Sequence, residues 1–243
     1  MNRFAIVLFL IFISKVALSQ FNDSVHYYMY YGTTGVINKT DNGNSFVLNN
    51  DLRFSISKKI MTINTTNSWV YGEQQLNKTN NDFSSIFDFD IYKNLRKLYY
   101  WGLGNYEISY SLKINNRIQA GAGLGYTFIR TPTANLVFSE GIIYERSDLK
   151  SVDATNNTYQ TLRNSARLKF RFVIKDLLIL DGMQFLQNSL SYKNDYIIKS
   201  NTTASLKLRK WLNLTTAVNY NKLSRTQREN LLITFGLTVE QYF

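Results

Sequence analysis

The chain carries a single histidine, His26, and no cysteine. Thiol catalysis, disulfides and cysteine-bound metal are thereby excluded, and so is a lipid anchor on a cysteine at a cleavage point. A hydroxyl nucleophile needs a base held against it. His26 stands beside Tyr27 and Tyr28 with no Ser or Asp at a recognisable catalytic spacing. Metal-ligand clusters, phosphate-binding glycine loops and nucleic-acid motifs are missing as well. No catalytic, cofactor or metal residue is therefore assigned, and no nucleic-acid partner is expected.

What remains that could act is charge. Arg163, Arg167, Lys169 and Arg171 recur at even spacing, with Lys199, Lys207 and Arg209 further on and Asp88, Asp90, Glu107 and Glu145 before them. Residues two apart share one face of a strand. Charges gathered on an inner face must pair, because an unpaired buried charge costs several kcal/mol. Two arrangements follow: an ionic network that fills and closes the interior, or a basic wall along a water-filled path for anions.

The elements that would position these charges are strands. Apolar residues alternate in Phe46, Leu48, Leu52, Phe54, Ile56; in Ile118, Ala120, Ala122, Leu124, Tyr126, Phe128; in Leu168, Phe170, Phe172, Ile174; and in Leu212, Leu214, Val218, Tyr220. Opposite them stand Asn49, Asp51, Arg53 and Ser55, then Gln119 and Thr127, then Arg167, Lys169 and Arg171, then Asn213, Thr215 and Asn219. That period belongs to a sheet with two different faces. Breakers divide the chain into about twelve strands, near 25–37, 44–57, 60–75, 82–93, 98–113, 117–130, 135–147, 160–175, 177–192, 195–209, 211–223 and 228–243; ten or fourteen also fit. The one proline, Pro132, falls in a connection, and no linker marks a domain boundary.

The N-terminus places this sheet outside the cytoplasm. Arg3, the apolar run from Phe4 to Ile13 and the small-residue exit Ala17-Leu18-Ser19 before Gln20 have the layout of a secretory signal peptide, so residues 1–19 are expected to be removed and 20–243 to fold as one domain. The apolar run is about half the ~20 residues of a spanning helix, although an uncleaved anchor is the alternative. Net charge is +11, and loss of Arg3 and Lys15 lowers it by two to +9. Anionic lipid headgroups are the nearest partner for such a chain. Mean hydropathy is −0.23, as expected where lipid-facing and lumen-facing residues alternate.

Two further signals favour a membrane barrel over a soluble sandwich or lipocalin-like barrel. With both termini on one side, the connections at 58–59, 94–97, 131–135, 175–176 and 209–210 are short and mostly basic, whereas 38–43, 76–81, 148–159 and 224–228 are longer, with tighter turns at 115–116 and 194. Outer-membrane barrels have that asymmetry. Tyr27, Tyr28, Tyr30, Tyr31, Trp69, Tyr71, Tyr99, Tyr100, Trp101, Trp211 and Tyr242 sit near strand ends, where interfacial anchors belong.

Two resemblances extend this reading. The last strand, Leu231, Ile233, Phe235, Leu237, Val239, Gln241, Phe243, resembles the terminal strand of outer-membrane barrels, which implies recognition by the barrel-assembly machinery through Phe243; Gln241 departs from the pattern. The segments Lys97-Leu98-Tyr99-Tyr100-Trp101-Gly102-Leu103-Gly104 with Tyr106-Glu107, Gly121-Ala122-Gly123-Leu124-Gly125-Tyr126, and Gly141-Ile142-Ile143-Tyr144-Glu145-Arg146 resemble the salt-induced outer-membrane proteins, the domain of unknown function family 481. The resemblance covers roughly residues 92–243 and implies an outer-membrane barrel without an assigned activity. On their own, Gly121, Gly123 and Gly125 share one face, and an inward glycine row leaves room for bulky neighbours or bends the wall.

The expectation is an all-β, antiparallel transmembrane barrel in the outer membrane. Its partners would be outer-membrane lipids and lipopolysaccharide, and its role non-enzymatic: structural or stress-related, with passage of small solutes or anions. A lipid-modifying barrel enzyme and a secreted binding module are the alternatives. The His-x-Ser pattern of outer-membrane phospholipases is absent, which weighs against the first.

Overall fold

The computed structural model describes residues 26–41, 43–58, 60–92, 97–150 and 156–242, with the side chains of 156 and 157 left aside. The expected signal peptide and Phe243 lie outside them. Twelve strands follow in chain order: β1 (Tyr27–Thr40), β2 (Gly43–Lys58), β3 (Met61–Gln74), β4 (Asn77–Tyr92), β5 (Leu98–Ser109), β6 (Ile114–Arg130), β7 (Ala134–Lys150), β8 (Asn156–Ile174), β9 (Leu178–Ser189), β10 (Tyr196–Lys207), β11 (Leu212–Leu223) and β12 (Arg228–Tyr242). Each pairs antiparallel with the next, and β12 closes on β1 from Tyr28↔Tyr242 to Gly35↔Phe235. Closure leaves no strand edge unpaired, the requirement for backbone in lipid.

Parity decides what each face carries. On β6, Ile118, Leu124, Tyr126 and Phe128 are exposed on the outside, while Arg117, Gln119 and Thr127 are buried inside. The same inversion of a soluble protein holds on β12, with Leu231, Ile233, Phe235 and Leu237 outside and Thr234, Thr238 and Glu240 inside. An apolar exterior around a polar interior is the arrangement for a lipid-facing wall. Polar groups on that wall meet one another: Asn67 with Ser85 (2.8 Å) and Gln184 with Thr202 (2.9 Å).

We call the rim where β1 begins and β12 ends the near rim, and the opposite one the far rim. Three expectations change here. The connections expected at 38–43 and 76–81 are tight hairpins: Thr40 pairs with Gly43, and Gln74 with Asn77 across Gln75 and Leu76, whose φ values of 48° and 64° are those of a primed turn. Likewise β7 runs to Lys150 and β8 starts at Asn156, so the long piece at 148–159 shrinks to 151–155, outside the described residues. Asn, Thr and Lys suggested loops, but a hairpin rising into water carries polar side chains on both faces. The asymmetry between rims is correspondingly weak. Third, the expected turn at 115–116 is strand, and the chain reverses at residues 110–113 instead. The proline lies in the β6–β7 turn as expected.

Candidate functional site

Inward parity brings the expected charges together and adds others. Near the near rim, Arg53 on β2 reaches across the interior to Asp181 on β9, Nη1 to Oδ1 2.8 Å. Arg171 on β8 adds 3.7 Å to Asp181 and 3.0 Å to Glu240 on β12. Tyr28 donates to Glu240 at 3.4 Å, and the Arg53 guanidinium lies 4.8 Å over the Tyr30 ring. These contacts fill the lumen beside β9, β12 and β1. Higher on β8, Lys169 pairs with Asp88 at 2.9 Å, and Arg167 stands 3.6 Å from Asp88 and 3.8 Å from Asp90.

Toward the far rim one ionic chain crosses the barrel. Lys199 meets Glu107 at 2.7 Å, Arg117 meets Glu107 at 3.2 Å and Glu145 at 3.6 Å, Arg163 meets Glu145 at 2.8 Å and Asp195 at 3.0 Å, and Arg225 meets Asp195 at 2.7 Å. Arg117, Glu145 and Arg163 are fully buried. Gln119 joins by donating to Glu145 at 2.6 Å and to Gln187 at 2.9 Å. Each guanidinium offers several donors in a fixed plane, which lets it sit between two carboxylates. Above lies an apolar cap of Leu112, Ile114, Leu149, Tyr159, Ile197 and Leu223. Leu112 comes from the turn after the short β5, folded into the mouth.

A third filling is aromatic. Trp101 packs over the facing pair Gly123 and Gly141, where a Cβ would come within 2.7 and 2.5 Å of its Cζ2, and Tyr99 lies over Gly125, where the clash would be 2.2 Å. The expected glycine row thus makes room for two inward rings. Trp101 Nε1 donates to the Leu124 carbonyl at 3.2 Å, and Arg167 lies 5.1 Å over its indole ring.

Between these fillings runs a cavity of about 1320 Å³. At the near rim it is lined by His26, Lys58, Arg130 and Pro132; it continues past Ser55, Asn64, Ser84, Asn201 and Asn219, and reaches Asp82, Ser111 and Asn230 below the far rim. Among the described residues its wall carries six carboxylates, Asp51, Asp82, Asp88, Asp90, Glu107 and Asp181, and six bases, Arg53, Lys58, Arg130, Lys169, Arg171 and Lys199. The wall is therefore balanced in charge rather than basic.

Several expected roles change. Arg163, Arg167, Lys169, Arg171, Lys199, Asp88, Asp90, Glu107 and Glu145 all face inward and pair. Lys207 ends β10 at the near rim and Arg209 falls in the turn beyond it; among the described residues neither has an ion-pair partner. Tyr28, Tyr30, Tyr99, Trp101 and Tyr242, read as interfacial anchors, belong to the inward rows, whereas Tyr27, Tyr31, Trp69, Tyr100 and Trp211 do lie exposed outside. His26 lines the cavity's near-rim end, its carbonyl accepting from Ser57 N at 2.8 Å. Among the described residues no side chain is hydrogen-bonded to its ring. Asp181, Asp195, Glu240 and Arg225 were not singled out beforehand. Asp181 and Glu240 follow from parity once register is known; Asp195 and Arg225 lie in turns and gave no signal.

A family model described as "Protein of unknown function, DUF481" matches residues 32–240. No curated protein matches the chain in sequence. Among solved structures, the translocator domain of autotransporter NalP from Neisseria meningitidis is 15% identical with a TM-score of 0.51, over 91% of this chain and 90% of that one. A NanC porin is 11% identical, TM-score 0.50, over 88% and 99%. The COG4313 outer membrane channel from Pseudomonas putida F1 is 10% identical, TM-score 0.50, over 95% and 100%. At such identities the likeness shows the fold, a closed barrel of the outer-membrane type.

Proposed function

The chain belongs to the DUF481 family, and on that premise we propose that it is a non-enzymatic outer-membrane barrel that passes small polar solutes along one side of a half-filled lumen. The observation that carries this reading is the cavity itself, which follows a polar wall almost from rim to rim between offset fillings. The near rim would face the periplasm, with export directed by residues 1–19 and assembly by the strand ending at Phe243. A role in salt stress, implied by the family resemblance, belongs to the same proposal.

Recording from the refolded protein in planar bilayers tests the passage. Small, discrete conductance steps are expected. Folded protein, shown by a band that shifts on boiling, that gives no steps would refute it and favour the second reading, a closed structural wall. The inward-folded Leu112 and the far-rim ionic chain are the specific observations behind that alternative.

A further inference from the structure

At the far rim the β5–β6 turn carries a second cluster, separate from the lumen. The ring of Tyr110 has the Lys113 Nζ 4.7 Å from its centroid, Lys78 Nζ 5.7 Å and Lys150 Nζ 5.9 Å. The three lysines come from the turn, from the start of β4 and from the end of β7. One aromatic face attracts a cation, but three ammonium groups around one ring repel each other. Among the described residues no carboxylate lies within ion-pair distance of any of them. Asp148, on the same strand as Lys150, accepts instead from Asn115 at 3.2 Å. Most inward cations of the lumen behave differently: Arg53, Lys169, Arg171 and Lys199 each meet an Asp or Glu. Glu73, which faces Lys78 across the β3–β4 pair, accepts from Tyr71 instead, so among the described residues the three lysines stand without an ion-pair partner.

Its position says what kind of anion fits. Tyr110 continues the outward row Tyr106, Ile108, exposed on the apolar wall, so acyl chains would lie below the lysines and a charged headgroup level with them. We propose that Lys78, Lys113 and Lys150 around Tyr110 form a binding site for the phosphate of a phosphorylated lipid headgroup in the leaflet at the far rim. Exposed Arg146, four residues before Lys150 on the same outward face, extends the cationic surface. Lysines attract anionic headgroups as compact charges without a fixed fork, which suits a phosphate monoester approached from several strands. The inference rests on the membrane-barrel reading above.

The test uses the full refolded barrel in detergent micelles with bisphosphorylated lipid A, dephosphorylated lipid A or inorganic phosphate added, and reads lipid retention by native mass spectrometry. Bisphosphorylated lipid A should bind roughly tenfold or more tighter than the dephosphorylated form, and the Lys78→Gln/Lys113→Gln/Lys150→Gln variant should lose that preference. Equal binding of the two lipids, an unchanged preference in the variant, or displacement by millimolar inorganic phosphate would overturn the site. The heat-shifted gel band of the same samples reports the barrel independently, so equal binding of the two lipids by the unaltered protein, with the shift intact, rejects the site and not the fold.

Discussion

Ser111 in the β5–β6 turn donates twice to Asp82 on β4, from its N to Oδ1 at 3.0 Å and from its Oγ to Oδ2 at 2.7 Å. Ser109 adds a third bond to Asp82 at 2.8 Å, and Asn230 on β12, across the mouth, reaches Ser111 at 3.4 Å. Together they hold the turn inward, with Leu112 buried over the far end of the lumen. Hydrogen bonds to a charged acceptor are worth about 1.5–3 kcal/mol each. Asp82→Ala should therefore release the turn and enlarge the unit conductance in planar bilayers. An unchanged step size from the folded variant would show that the turn does not limit the path.

The glycine row gives a prediction about stability. At Gly125 a Cβ would meet Tyr99 Cζ at 2.2 Å, and at Gly141 it would meet the Ala122 carbonyl oxygen at 2.3 Å as well as Trp101. Neither neighbour can give way without moving a buried ring or the β6–β7 backbone. Overpacking of this kind costs about 1–3 kcal/mol. Gly125→Ala and Gly141→Ala should each lower the urea midpoint of unfolding in lipid vesicles. Gly104, where a Cβ meets nothing within 4 Å, is the control that should leave the midpoint almost unmoved.

Such contrasts mark what was legible in the sequence. The sidedness of β2, β6, β8, β11 and β12 follows from period-two alternation, because a lipid-facing row tolerates few polar residues; the count near twelve needed the breakers as well and left ten or fourteen open, and alternation by itself did not separate a closed barrel from a sandwich. Glycines on one face of β6 pointed to inward bulk, although the rings they admit, Tyr99 and Trp101, looked like interfacial anchors. The ionic partners were only half visible. Arg163 and Glu145 share inward parity, but which acid meets which base depends on register and on crossing the lumen, as with Arg53 on β2 and Asp181 on β9. The inward fold of Ser111 and Leu112 had no signal, since it follows from β5 ending at Ser109 while β7 runs on to Lys150.

The far-rim ionic chain should respond sharply to loss of one member. Glu145 lies between Arg117 and Arg163, all three fully buried, and also accepts from Gln119 and Tyr159. Glu145→Ala leaves Arg117 with Glu107 and Arg163 with Asp195, one acid short between two buried cations, and breaking a buried pair costs about 3–5 kcal/mol. The exposed pair Lys222–Glu229, 3.6 Å apart, provides the comparison; water screens it, and its loss should leave the midpoint almost unmoved. Vesicle unfolding curves for Glu145→Ala and Glu229→Ala would show the difference, and equal midpoints would mean that the chain contributes nothing to holding the barrel.

Ion selectivity separates a balanced wall from a basic one. Selective pores present charges of one sign along the path. Here six carboxylates face six bases, and most stand close to a partner, as Lys169 does to Asp88 at 2.9 Å. A paired charge presents the ion with a dipole, whose field fades within the Debye length of about 10 Å at 0.1 M salt. Under a salt gradient the wild-type reversal potential should thus lie close to zero. Lys169→Gln removes a base while Asp88 remains beside Arg167, and should move the potential toward cation preference. Asp181→Asn removes the acid shared by Arg53 and Arg171 and should move it toward anions. Strong anion selectivity in the unaltered protein would restore the basic-path arrangement, because it would require the Lys and Arg side chains to act on passing ions without neutralisation by their acids.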